Sequence, residues 1–388
     1  MKKNKDIFIK EKQEKEMVHK TNHTHRIKKV DNKKKIIEIG LIIGLTIIVA
    51  ILLGLTLMKK KNASIDKSKS EEFEKVKEEV KEEVKEVSKI KIVDVLSKTR
   101  PYAVSVNNTP VAVKVQEGLN KAYMIYEIPT EGFTSRLLAF FKDQKDLTVG
   151  TIRSARHNMI DYANESDAIL VHYGASHYAQ NEFSQHVITH LNGNSSFWRS
   201  AFWRSNPEKL ASEHTAYTSM EKITDFSTKH NYRLVSNNSR DTILLNYSEN
   251  EVLLDNFNNV KDANSVKLPY GNITTVFKYN KDTKEYTKYV NDKKIKDHKT
   301  KEIMTAKNII IVKIGYSVLP GNKYWDLKNT GTGDGFFATN GKYVPIKWEK
   351  KDRNSRTKYT YLNGEEIEVN DGRTYIELFI KSRKITIK

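Results

Sequence analysis

Residues 39 to 58, IGLIIGLTIIVAILLGLTLM, run for twenty positions without a charged side chain. Wound as a helix at about 1.5 Å per residue, such a run matches the roughly 30 Å of a bilayer's hydrocarbon. A buried core helix is a poor alternative, because core helices this long present a polar face somewhere. A cleaved signal peptide fits no better: its apolar region is shorter, and the following KKKNASIDK offers no small-x-small cleavage site. The stretch predicts a retained transmembrane helix at 36–58. The remaining chain must be divided between the two sides of a membrane.

The flanks hardly choose the orientation, with six Lys/Arg at 21–35 and five at 59–73. The 388 residues contain no cysteine, which excludes disulfides, thiolate metal sites and a cysteine nucleophile, and suits an oxidising exterior. We therefore expect residues 1–35 to form a basic, disordered cytoplasmic tail and the large C-terminal part to lie outside the cell. Residues 1–35 hold 13 Lys/Arg against 5 Asp/Glu, and Glu38 is the sole charge at 36–58, so 59–388 keeps a net +12 of the chain's +19. An exterior body so basic calls for an anionic partner, such as a wall polymer.

Residues 59–97 read as a charged helical stalk. Phe73, Val76, Val80, Val84 and Val87 recur at helical spacing, and Glu74/Lys77, Glu78/Lys81 and Glu82/Lys85 are favourable i, i+3 pairs. The stripe could pair two copies as a weak coiled coil. A solvated spacer is the simpler reading, because Glu83 stands where a heptad wants an apolar residue.

Beyond the stalk the fold class is α+β. A layered α/β domain is expected at 98–240, where strand-length apolar runs (102–108, 122–128, 135–141, 147–152, 168–174) alternate with helical patterns at 154–164 and 177–191. A mostly antiparallel β domain is expected at 241–388, with Asn363-Gly364 and Asp371-Gly372 as candidate type I′ hairpin turns. The segments RPYAVSVNNTPVA, EGLNKAYMIYEIPTEGFTSRLLAFF, VGTIRSARHNMIDYA, ILVHYGAS and HTAYTS, in that order, resemble the N-terminal domain of the YerB-like family of bacterial envelope lipoproteins. The stretch from DGFFATNGKY to DGRTYIEL resembles that family's C-terminal β domain. The resemblance covers roughly 98–388 and implies a two-domain extracytoplasmic protein, without supplying an activity. A lipoprotein needs a cysteine to lipidate; here the apolar helix would take the lipid's place.

TVGTIRSARHN, 148–158, sets fixed cations at the end of a strand-like run. Arg136, Arg153 and Arg156 could form an anion clamp, since each guanidinium offers paired donors to phosphate or carboxylate oxygens. Ser154, His172, Tyr173, His214 and Tyr217 are expected beside them. Alternatively Glu127 and Glu131 neutralise those arginines in a structural network. For catalysis the candidates are Glu127 and Glu131 as an acid–base pair on a glycan and His172 or His214 as a base. A serine nucleophile at Ser154 or Ser176 lacks a GxSxG or SxxK setting. No cofactor or metal is expected: His186 and His190 fall i, i+4 on a predicted helix, but without an HExxH. Phe-Trp-Arg-Ser occurs twice in 197–205, a pattern that could stack on sugars or serve as a core lid. NTGTGDGFF, 329–337, is a glycine-rich turn without a phosphate-loop signature, and Trp348, Arg353 and Thr357 are candidates to line a cleft between the domains. Nucleic acid is not expected as a partner, for want of a reading element. The leading functional expectation is thus a non-catalytic envelope protein that binds an anionic wall polymer or a protein partner. The alternative is an envelope hydrolase or transferase acting on glycan or peptide crosslinks.

Overall fold

The computed structural model describes residues 88–186, 188–236, 242–321 and 323–388. The expected tail, transmembrane helix and most of the stalk lie outside the described residues. Among the described residues no helix is long and apolar enough to cross a membrane. The folded body starts before residue 98. Ile90 and Val93 are buried in its core, and the N–H groups of Lys91 and Ile92 each donate to Asp371 at 2.9 Å.

The body is mostly sheet. In its first half the strands are β1 (Tyr102–Asn107), β2 (Met124–Thr130), β3 (Thr134–Phe141), β4 (Thr148–Gly150), β5 (Ile169–His172), β6 (His190–Asn192), β7 (Phe202–Arg204) and β8 (Ala216–Ser219). The helices are α1 (His157–Glu165), α2 (His177–Gln185) and α3 (Met220–Lys229). One large sheet draws strands from both halves of the chain. Its order is Lys261–Asp262, Lys342–Lys350, Gly331–Thr339, Asn308–Val318, Thr374–Ile380, β2, β3, β1, β5, β6. Trp325–Lys328 pairs with the outer part of Asn308–Val318, making a ribbon beyond the sheet.

Both faces of this sheet are covered, which explains why its strands read as unbroken apolar runs rather than alternating ones. Side chains pointing one way, such as Ala103, Tyr126, Leu138 and Phe140, share a core with Met159 and Tyr162 of α1. Those pointing the other way, such as Val104, Ile125 and Leu137, pack with Ile223 and Phe226 of α3 and with Val266 and Phe277 of a separate six-stranded sheet. Burying both sides of a strand about doubles its hydrophobic stabilisation, at roughly 25 cal/mol per Å² of apolar surface.

Two local expectations are corrected. The helix expected over 177–191 ends at Gln185, and His190 opens β6, so His186 and His190 do not share a helical face. The β-branched pair Ile188-Thr189 loses rotamer freedom in a helix and suits extended chain. Neither Asn363-Gly364 nor Asp371-Gly372 is a type I′ turn, since only the glycine has positive φ in each pair. The type I′ geometry belongs to Asn291-Asp292 (47° and 62°) and Asn340-Gly341 (49° and 76°), both closing antiparallel hairpins. A side chain at Gly341 would also meet the Tyr279 ring at 2.6 Å. The second half is mostly antiparallel, as expected, but Thr374–Ile380 runs parallel to both Asn308–Val318 and β2, and Glu368–Asn370 runs parallel to Asn246–Ser248. Residues 331–337 of the glycine-rich segment lie in the strand Gly331–Thr339.

Candidate functional site

β1, β5 and β6 are parallel neighbours, so their carboxyl ends open on one edge of the sheet. Ligands of open α/β sheets bind outside such ends, where backbone groups leave the ladder. A cleft of about 370 Å³ lies there, lined among others by Arg153, Ser154, Tyr173, Asn192, Arg204 and Glu213. The segment carrying Arg153 is fixed through its backbone. Arg153 donates its N–H to Ser105 O at 2.8 Å, and its carbonyl accepts from Tyr173 N at 3.0 Å. The opposite wall is held by Asn192 Oδ1, which accepts from Gly174 N at 2.8 Å.

The three arginines expected to form a clamp have separate fates. Arg136 is buried behind the cleft and donates to the Ser154 carbonyl. Arg156 is paired: its Nε donates to both Glu131 oxygens, at 2.9 and 3.0 Å, and its guanidinium carbon lies 5.2 Å from the Tyr324 ring centre. Burial pushes the Glu131 carboxyl up, but the hydrogen bonds and charge of Arg156 outweigh it and hold the group below its ordinary value. Arg153 alone of the three lines the cleft, and among the described residues its guanidinium has neither an ion pair nor a hydrogen bond. Burial draws it below its ordinary value, against the attraction of Glu213, and an arginine so placed stays charged. Its companion in the cleft is Arg204, which lies 4.6 Å from the Tyr173 ring centre and donates to Thr215 Oγ1 at 2.9 Å. Arg204 belongs to the repeated Phe-Trp-Arg-Ser, the signal that could have found it.

Of the acid–base candidates, Glu127 is sealed in the interior at 0% exposure. It accepts from Asn108, Ser135, Thr275 and Lys288, the last at 3.0 Å. Glu377 is its cross-strand partner, held by the Tyr270 hydroxyl at 2.7 Å. Burial pushes Glu377 well above the ordinary carboxylate range, the Glu127 charge pushes it further, and Lys288 opposes both. Burial would discharge Lys288, but Glu127 outweighs it and the ammonium is stabilised. No polymer reaches this cluster in the folded protein.

His172 is also fully buried. Its Nδ1 donates to Gly174 O at 2.7 Å, which leaves Nε2 to accept from His190 Nδ1 at 3.0 Å. Burial and the neighbouring His190 lower its pKa to about 3, and burial lowers that of His190 to about 4. The two rings stack with Phe183 as a wall behind Tyr173 and Asn192, and neither acts as a base near neutral pH. His214, next to Glu213 at the cleft, accepts at Nδ1 from Asn107 Nδ2 at 2.8 Å. Burial lowers its pKa and Glu213 opposes the shift. Tyr217 lies away from the cleft, buried, with its hydroxyl on Val115 O at 2.9 Å. Ser176 caps α2, accepting from Ala179 N at 3.2 Å. Trp348, Arg353 and Thr357 lie outside the lining of the cleft beside Arg153. Trp348 is buried, Arg353 pairs with Asp161 and Glu182, and Thr357 binds the buried Glu165, which also pairs with Lys350.

What the cleft offers chemically is one unpaired guanidinium, a second stacked on tyrosine, and a ring of neutral hydrogen-bonding groups around them, with a single carboxylate. Residues 90–233 match the family model described as "Protein of unknown function (DUF3048) N-terminal domain", and residues 266–376 match its C-terminal counterpart. The chain belongs to the DUF3048 family. A relative in Bacillus subtilis (strain 168), the "Putative lipoprotein YerB", is 30% identical over 285 residues, which span 72% of this chain and 78% of that protein. The crystal structure of YerB from Bacillus subtilis superposes with a TM-score of 0.64 at 26% identity, covering 75% of this chain and 95% of that one. The two family domains meet in a single sheet here, and the cleft belongs to the N-terminal one, between β5, β6 and the segment carrying Arg153.

Proposed function

We propose that this is a membrane-anchored, extracytoplasmic envelope protein whose cleft holds an anionic group of a cell-wall polymer. The observation that carries the reading is the Arg153 guanidinium, half-buried at the carboxyl ends of parallel strands without a carboxylate partner among the described residues. Placing a cation in a pocket costs desolvation, which the attraction of Glu213 offsets in part and an arriving anion would offset further. A volume of about 370 Å³ suits a phosphate or carboxylate together with part of the unit that carries it. The net positive body would draw such a polymer in over a distance that shrinks with salt. The relative's description as a lipoprotein supports the envelope setting. The hydrolase reading finds less support, since Glu127 is sealed and His172 is neutral down to about pH 3.

The test is binding of the full-length chain to purified wall polymer at increasing ionic strength, beside Arg153→Ala. Salt-sensitive binding that weakens about tenfold or more in the variant is expected, as befits a hydrogen bond to a charged group worth about 1.5–3 kcal/mol. Equal affinity of parent and variant would refute the clamp, and release of a product from the polymer would favour the enzyme.

A further inference from the structure

A second feature lies outside the cleft's lining, and nothing in the cleft's chemistry requires it. Between β2 and β3 the chain turns through Gly132 at φ 73° and Phe133 at φ 55°. Positive φ is ordinary for glycine and an outlier for a bulky aromatic residue. The turn is clamped in that conformation: Asn272 N donates to Phe133 O at 2.8 Å, and Asn272 Nδ2 donates to Gly132 O at 3.3 Å. The strained backbone does not serve the core, because the Phe133 side chain is left 53% exposed. Its ring meets Trp325 edge-on, with centroids 5.6 Å apart, and Trp325 stacks on Tyr316 at 4.3 Å. Tyr316 is 38% exposed. The ribbon carrying Tyr316 and Trp325 is tied to α1 by Asn158, which donates to Trp325 O at 2.9 Å and accepts from Leu327 N at 3.2 Å.

Three touching rings, two of them exposed, thus lie on a fixed support. Strain held in place by surrounding structure is a mark of a site, and an exposed aromatic patch on a basic body is a mark of a partner. The frame around the rings is polar and basic, with Arg383 5.1 Å from the Phe133 ring centre and the Arg156–Glu131 pair at the root of the turn. That pair also leads back to the cleft, since Arg156 stands two residues after Ser154 in its lining.

We infer that Phe133, Trp325 and Tyr316 form a stacking platform for a sugar ring, so that the ligand of the cleft is a glycan bearing anionic groups. The flat apolar face of a pyranose packs on aromatic rings, while its hydroxyls need planar donors and acceptors such as those of Arg156, Glu131 and Asn272. This inference rests on the anion-clamp reading for its second contact and adds the sugar to it.

Three probes separate the two contacts, applied to the full-length chain in non-ionic detergent: polyphosphate, an anionic chain without sugar; dextran, a glycan without charge; and dextran sulfate, which has both. Phe133→Gly removes the ring and at the same time relieves the backbone, so it should fold at least as well as the parent. Tyr316→Ser is the second variant. The expected result is that dextran sulfate binds more tightly than polyphosphate and that each variant weakens dextran sulfate by roughly tenfold. Polyphosphate affinity should stay at the parent's value in both variants and fall in Arg153→Ala. Unchanged dextran sulfate affinity in Phe133→Gly and Tyr316→Ser overturns the platform while leaving the clamp intact. Dextran binding that Phe133→Gly abolishes, with no polyphosphate binding at all, upholds the platform and removes the clamp. Binding of phosphatidylglycerol vesicles that both variants abolish, without binding of any dextran, assigns the rings to a membrane surface and ends the proposal.

Discussion

The buried cluster around Lys288 and the open cleft around Arg153 use the same materials to opposite ends. In the cluster the charges are answered: Lys288 by Glu127, and Glu127 by three further donors, while Glu377 is held through one oxygen by Tyr270 and pushed well above the ordinary carboxylate range by burial. The groups come from both family domains, so the cluster joins them. In the cleft Arg153 is left unanswered and Arg204 leans on a ring. The sign and kind of charge therefore say little about role, whereas the completeness of its pairing says a good deal.

The largest effect that would break this contrast is on stability. Lys288→Met should destabilise the body by about 3–5 kcal/mol, because it strands a buried carboxylate, and pairing it with Glu127→Gln should restore most of the loss. The shift of the urea midpoint measures both, and an unaltered midpoint in the single variant removes the cluster from any structural role. Next in size, taken per pH unit, is a response to acid. His172 and His190 are neutral in the fold, with values of about 3 and about 4, and bind protons in the unfolded chain from about pH 6.5 downward. The unfolded state thus holds more protons in that window. Stability is complete above pH 6.5 and falls as pH drops toward the folded values, by at most about 1.4 kcal/mol per pH unit for each ring. Urea midpoints across this range should show the slope, and His172→Phe with His190→Phe should flatten it. The smallest effect sharpens the comparison within the arginines. Arg156→Ala should cost about 1 kcal/mol through its pair with Glu131, while Arg153→Ala should leave the midpoint within about 0.5 kcal/mol. Equal costs in the two would mean that Arg153 has an intramolecular partner in solution.

Much of the sheet was legible because apolar runs of strand length are unambiguous when turn residues bound them: the runs at 102–108 and 135–141 differ from β1 and β3 by a residue each. Arg153 was legible for the same reason, as a fixed charge at the end of such a run. Its division of labour with Arg156 was not, since the choice depends on which cation Glu131 reaches across the turn at 131–133. The sealing of Glu127 was not legible because the cation that answers it, Lys288, lies 161 residues away along the chain. Local spacing carries no trace of such pairings. Nor could the pattern show that His190 would leave its helix for β6 and stack on His172. Asn340-Gly341 is the opposite case: the dipeptide has the composition that a type I′ turn demands, and the signal lay in plain view.

The strand Thr374–Ile380 sits in the middle of the large sheet, between β2 and Asn308–Val318. Chains are made from the amino end, so the slot beside β2 stays open until residues 374–380 have been added. During that interval the amino-terminal half presents a naked, apolar β edge. A product cut short before residue 374 lacks its keystone, and quality control would meet it as an adhesive fragment rather than as a smaller working protein.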